Sequence, residues 1–317
     1  MSAYIIRRLL LMIPTIFILG TALFFLLRVL PGDLAVGMLT TEEASATAEE
    51  IEELREYLGL NDHIVVQYFR WLKNVLTGNF GNSPLYDASV VSILKSKLGI
   101  TLELAALSVV ISLIWALPLG IISALTRGSW IDQTIRLITA LGISLPNFWV
   151  AIMVLLALVA FLNWSPPIQY VHFLDNPVEN IKMLFLPAMV IGIRSAATIT
   201  RMTRSMMLEV ISQDYVRTAR AKGLSPATVI FRHALPNASL PVLTLAALLL
   251  AALVDGAVII EVIFNLPGLG MLIRESITRR DYELIQGIIL ILAAFMMVWI
   301  LITDLLYAWL DPRIRYS

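Results

Sequence analysis

The sequence predicts an all-α polytopic membrane protein with six transmembrane helices. Hydrophobic residues fill 59% of its 317 positions and mean hydropathy is +0.84, more apolar than a chain bathed in water on all sides. About twenty consecutive apolar residues cross a hydrocarbon core of ~30 Å. Six stretches reach that length, at 9–30, 100–126, 135–162, 183–203, 238–264 and 284–310. Backbone polar groups in lipid must bond within their own segment, so each stretch is a helix.

Residues 1–30 form the first helix. Arg7 and Arg8 precede LLLMIPTIFILGTALFFLL, which is longer than the apolar core of a signal peptide, and no small-x-small cleavage site follows. Residues 31–98 are read as an external helical insertion. Thr47-Ala48-Glu49-Glu50 has the form of a capping box, and Ile51, Leu54 and Leu58 mark one apolar face with Gly59 as the stop. A second short helix is expected from Asp62 to Leu76, with Val65, Tyr68, Phe69, Leu72 and Val75 on one side. Neither is long enough to span, so the pair is expected to cap the outer mouth or lie at the membrane interface. Residues 99–311 make the core, in which Pro118 and Pro146 each remove a donor and are expected to kink their helices. Residues 312–317 form a tail, and no internal repeat is visible.

Basic residues near short loops favour the cytoplasm. Arg7, Arg8, Arg127, Arg136, Arg201, Arg204, Arg217, Arg220, Lys222, Arg232, Arg313 and Arg315 all fall on one side of a six-span chain. Both termini are therefore expected inside. The acid-rich insertion and the loop at 163–182 fall outside. Residues 265–283 run against the rule, carrying Arg274, Arg279 and Arg280 on the outer side, and local pairing with Glu275, Asp281 and Glu283 is the expected remedy.

Several function classes drop out. Net charge is zero and no dense basic tract exists, which argues against a nucleic-acid partner. Without cysteine there is no disulfide, thiolate nucleophile or Cys-ligated metal, and three scattered histidines do not build a metal site. No G-x-x-x-x-G-K-[ST] is present, so the chain is expected to bind neither ATP nor its Mg. Ionisable residues at membrane depth are functional candidates. Asp255, Glu103 and Arg194 are assigned as a possible translocation path. Glu261 is more simply read as a salt bridge to the Arg274 or Arg279 region, Asp304 and also Arg194 as structural pairs with neighbouring helices, and Met202, Met206 and Met207 as packing.

One polar segment lies stranded between apolar blocks. Residues 212–237 contain DYVRTARAKGLSPATVIFRHALP, read as two short helices meeting at a corner. Asp214 is expected to cap the first. Tyr215, Val216, Ala219 and Leu224 form its apolar side, and Arg217, Arg220 and Lys222 its polar side. Gly223 ends it in a left-handed conformation. Ser225-Pro226 opens the second as N-cap and first helical residue, and Pro236 is expected to break the chain before the fifth span. Nine residues separate Gly223 from His233-Ala234-Leu235-Pro236. That spacing resembles the cytoplasmic E-A-A-x3-G-x9-I-x-L-P loop of bacterial ABC-importer permeases, with Arg217 and His233 at the Glu and Ile positions. RTARAKGLS with FRHALPNA is similar to the dipeptide/oligopeptide/nickel branch, in which arginine at the Glu position is usual. RRLLLMIPT, FFLLRVLPGD, QYFRWLKNVLTGNFGNS, EVIFNLPGLGMLIRESITRRDYELIQG and DLLYAWLDPRIRY extend the likeness to the B-type subunit over essentially the whole chain. Leu34, His63 and Asp255 depart from the family's usual residues.

The resemblance implies a type I ABC-importer permease bundle in the bacterial inner membrane. Its partners would be a second homologous permease subunit, two ATP-binding subunits that hold ATP and Mg, and an external solute-binding protein. The cargo implied is peptide-like, with nickel or other small solutes as the alternative. An ion-coupled secondary carrier is the rival class; it would also use membrane carboxylates but would need no docking loop.

Overall fold

In the computed structural model the backbone is described for residues 2–29, 36, 47–167 and 169–310. Side chains are described for the same residues except 2–7, 54, 57–58, 250–255 and 306–310. Leu34, Arg313 and Arg315, and the side chains of Arg7, Leu54, Leu58 and Asp255, lie outside this description. The chain divides into two compact units, residues 1–99 with 268–298 and residues 100–267 with 299–317.

The first unit begins with α1 (Ser2–Val29), followed by α2 (Ala48–Leu58) and α3 (Ile64–Leu76). The capping box at Thr47 forms in both directions, and Gly59 closes α2 at φ 65°. His63, at a departure from the family pattern, caps α3 by accepting the Val65 N–H on Nδ1 at 3.3 Å. The α3 helix lies against α1. Phe24 is sealed beneath Tyr68 and Trp71, with ring centroids 5.3 and 5.2 Å away. Arg28 donates through Nε to Gln67 at 2.9 Å and lies over the Phe24 ring.

A two-residue hairpin comes next, β1 (Asn82–Ser83) antiparallel to β2 (Ala88–Ser89), a departure from a purely helical chain. The long helix α4 (Val90–Leu125) starts in this unit and continues into the second. Val90, Leu94, Leu269, Leu272, Leu284 and Ile288 form the apolar core beside the hairpin. The hairpin is anchored by acids of the 265–283 segment. Asp281 accepts from Ser83 Oγ and from the Leu284 N–H at 3.0 Å, while Glu275 accepts from Tyr86 Oη at 2.5 Å. Burial pushes the Asp281 carboxyl above the usual carboxylate range, against the pull of these donors. The local pairing expected for Arg274 and Arg279 gives way at Glu275 and Asp281, which accept from Tyr86 and Ser83 instead.

The second unit holds the rest of α4, then α5 (Trp130–Ser144), α6 (Asn147–Leu162) and α7 (Pro177–Ile211). The third span, expected to kink at Pro146, is a pair of helices bent by 103°. Leu145 at ψ 132° and Pro146 at ψ 135° are both extended, since a proline forces its predecessor out of the helical region. Two consecutive extended residues turn the chain far more than one missing hydrogen bond would.

Helix α7 is the spine of this unit, packing against α5 and against α10 (Leu235–Ile263). Leu184, Ala188 and Ile191 meet Ala151, Ile260 and Phe264 in its main core. A Cβ on Gly120 would come within 2.5 Å of Thr203, so glycine is what permits α4 to approach α7 so closely. Met202, Met206 and Met207 pack, as expected, into apolar clusters.

The remaining helices are α8 (Asp214–Ala221) and α9 (Pro226–Thr228) of the polar segment, then α11 (Leu269–Thr278) and α12 (Tyr282–Leu310). Among the described residues four helices are long and apolar enough to cross a membrane, and the bent pair makes five if counted as one span. Helix α10, with 29 residues and part of its middle outside the side-chain description, is compatible with a sixth.

Candidate functional site

Helix α7 ends at Ile211 and α8 (Asp214–Ala221) starts almost at once. Gln213, extended at ψ 151°, holds the N-cap position without a side-chain bond. Asp214 is thus the first helical residue and not the cap. Its carboxylate sits where the helix dipole favours negative charge and contacts Arg217 at 3.3 Å. Val216 and Ala219 are buried and close on Val229, giving the elbow its own small apolar seam. Val229, which the sequence did not single out, locks the two arms together.

Gly223 has φ 78° with open space around a would-be Cβ. Its requirement is one of backbone conformation and not of room. Ser225 caps the next turn by accepting the Thr228 N–H at 3.3 Å, with Pro226 at the first position of α9 (Pro226–Thr228). Beyond α9 the chain departs from expectation. Residues Val229–Ala234 form a π-helix that runs straight into α10, and Leu235 N–H reaches back to Ile230 O. Pro236 therefore does not break the chain. It is the second residue of α10, directly after the π-helix, and the wide turn before it makes room for the ring.

The outward face mixes charge and apolar surface. Arg217, Arg220, Lys222, Gly223 and Pro236 are exposed, as are Tyr215, Leu224 and Phe231. Tyr215 and Leu224, expected to pack inward, point out because the tight seam takes only Val216 and Ala219 from this arm. Tyr215 Oη accepts from Asn237 Nδ2 at 3.0 Å, tying the first arm to α10, and Leu235 packs beneath with Ala234 and Ala238. Beside the elbow, Asp132 of α5 accepts both forks of Arg204 of α7 at 2.8 Å each. It also accepts from Ser123 Oγ at 2.6 Å and the Gly128 N–H at 3.0 Å. This buried clamp joins α4, α5 and α7 and was not foreseen, since its partners are far apart in sequence.

Among the described residues, the path candidates Glu103 and Arg194 are not hydrogen-bonded to each other. Glu103 is half-buried and held by Tyr170 Oη and by Asn180 Nδ2 at 2.9 Å. Burial, followed by donation to Glu103, raises the Tyr170 phenol above its ordinary range. Arg194 is exposed on α7, and the Asp255 side chain is outside the described residues.

A multi-helix membrane bundle carrying a rigid polar elbow defines the class: a membrane permease built to work with other subunits. Residues 116–316 match the family described as the inner membrane component of binding-protein-dependent transport systems, and residues 1–105 match its N-terminal membrane component. The chain belongs to this family and is a permease subunit of a binding-protein-dependent ABC importer, a component that is not itself the ATPase. It is 39% identical over 319 residues to the oligopeptide transport system permease protein AppB of Bacillus subtilis, and 38% identical over 336 residues to the dipeptide transport system permease protein DppB of Alkalihalophilus pseudofirmus. Both alignments cover 100% of each chain. Among solved structures it is similar in fold to the MetNI methionine ABC transporter in an inward-facing conformation. The TM-score is 0.55 at 17% identity, over 70% of this chain and 97% of that one.

Proposed function

We propose that this permease carries di- or oligopeptides across the bacterial inner membrane. It would act with a second homologous permease subunit, two ATP-binding subunits that hold ATP and Mg, and an external solute-binding protein. The peptide assignment is supported by the names of the full-length relatives; nickel and other small solutes are the alternative cargo. Both termini and the elbow face the cytoplasm in this reading, following the arginine asymmetry.

The observation that carries the mechanism is the elbow at Gly223. Its exposed Tyr215, Leu224 and Phe231, ringed by Arg217, Arg220 and Lys222, have the mixed apolar and basic character of a docking knob. The seam beneath keeps it stiff, and its second arm is continuous with α10. Movement of an ATP-binding subunit would turn α10 with it and alternate access to the path. Uptake of a labelled dipeptide into vesicles tests the cargo and the coupling together. Uptake should stop with vanadate while the proton gradient stands, and persistence under vanadate would support an ion-coupled carrier. Orientation is read separately, because the chain lacks cysteine. Thr77→Cys should react with an impermeant reagent from outside and Ala227→Cys should not.

A further inference from the structure

Arg274 and Arg279 defy the positive-inside pattern. Both are exposed, Arg274 on α11 and Arg279 at its C-cap, and with Leu85, Tyr86, Glu275 and Thr278 they line a surface groove of about 370 Å³. The acids interleaved with them are committed elsewhere. Glu275 is held by Tyr86 at 2.5 Å, Asp281 is buried against Ser83 and the start of α12, and Glu283 packs against Gly81. Glu275 precedes Arg279 by four residues, the spacing at which the two would pair on a helix surface. Tyr86 instead donates to the carboxylate, and with two arginines against one glutamate the groove carries more positive than negative charge.

We propose that this groove is a docking surface for carboxylate side chains of the external solute-binding protein. Two guanidinium groups, one on a short helix and one at its C-cap, suit an acidic surface, which each can meet with paired N–H donors. The family's dependence on a binding protein supplies a partner that must reach this side. The proposal rests on the orientation that puts both termini in the cytoplasm and α11 on the outer side.

The test uses the whole transporter in nanodiscs of phosphatidylcholine with 0, 20 or 40% phosphatidylglycerol, and reads ATP hydrolysis against binding-protein concentration at low and high salt. Arg274→Glu with Arg279→Glu should raise the half-saturating concentration at least tenfold and flatten its salt dependence. Arg274→Gln with Arg279→Gln should give a smaller rise in the same direction. Tyr86→Phe should weaken docking without removing a charge, by releasing Glu275 to Arg279. Lysine substitutions at acids on the binding protein should further weaken its docking to the wild-type complex but partly restore the charge-reversed variant. Unchanged half-saturation and salt slope in both arginine variants would overturn the proposal. So would a shift that tracks the phosphatidylglycerol fraction, which would give the groove to lipid headgroups. Failure of the binding protein to stimulate even the wild-type complex would bring down the proposed partnership with it and this docking site as well, whereas a null result confined to the variants concerns the groove alone.

Discussion

Asp132 and Arg204 meet through two 2.8 Å contacts with 1% and 23% of their side chains exposed, whereas Asp214 and Arg217 touch at 3.3 Å with 95% and 72% exposed. The same two residue types do different jobs. Inside the bundle the carboxylate has four donors and joins three helices; on the elbow the pair is loose and both charges remain available to another protein. A chain that must stay folded while a partner pushes on it separates these roles. Fixed charges hold the helices, and spare charges face the partner.

Removing Asp132 should produce the largest stability change. Asp132→Ala leaves Arg204 partly enclosed without its acceptor. The expected loss is about 2–3 kcal/mol, below the usual figure for a fully enclosed pair because Arg204 keeps some contact with solvent. A lowered thermal midpoint of the purified complex would show it, with Asp132→Asn falling between. An unchanged midpoint would erase the distinction between the two pairs.

Gly223→Val should lower the midpoint less than Asp132→Ala, because the strain can be relieved within the exposed elbow, yet abolish peptide uptake and release the ATP-binding subunit. The left-handed backbone costs a β-branched residue about 1–3 kcal/mol locally and would re-aim the elbow. Gly223→Asn should retain most uptake, since asparagine tolerates this conformation and nothing stands in the way of its side chain. Equal failure of both variants would point to a steric contact with the partner instead.

Tyr215→Phe removes one hydrogen bond to Asn237 and should cost about 0.5–1.5 kcal/mol at most. It should show as faster amide exchange across 213–222 and a modest fall in uptake. Arg217→Ala and Arg220→Ala should have the smallest effect on folding, with no resolvable midpoint change, because surface pairs contribute little. Their effect belongs in ATPase affinity at low salt, and a large loss of stability from either would contradict the comparison.

Local devices are legible in the sequence and long-range ones are opaque. The Thr47 capping box, the left-handed Gly59 and Gly223, and the Ser225-Pro226 helix start each depend on a few neighbouring residues, so pattern alone reveals them. Asp214 was misplaced by one position because a side-chain preference suggested the cap while the backbone turned at Gln213. Pro146 signalled a disturbance, but the 103° turn needed Leu145 to be extended as well. The clamp at Asp132 and the Glu103–Tyr170–Asn180 cluster join distant segments, and nothing in their immediate sequence announces a partner. Pro236 misled because its effect depends on the hydrogen bonding upstream of it, which residue identity does not encode.

That upstream turn gives the Gly-to-Leu-Pro interval a geometric meaning. A π-turn holds one residue more than the α-turn it replaces, so the stretch from Gly223 to Pro236 sets a compass bearing. Each residue added or removed between them would swing the elbow by roughly 100° about the axis of α10. Deletions within 229–234 should therefore impair transport according to helical phase, with the elbow regaining its bearing near a full turn. The interval works as a protractor: it records the direction in which the knob must point when it meets its partner.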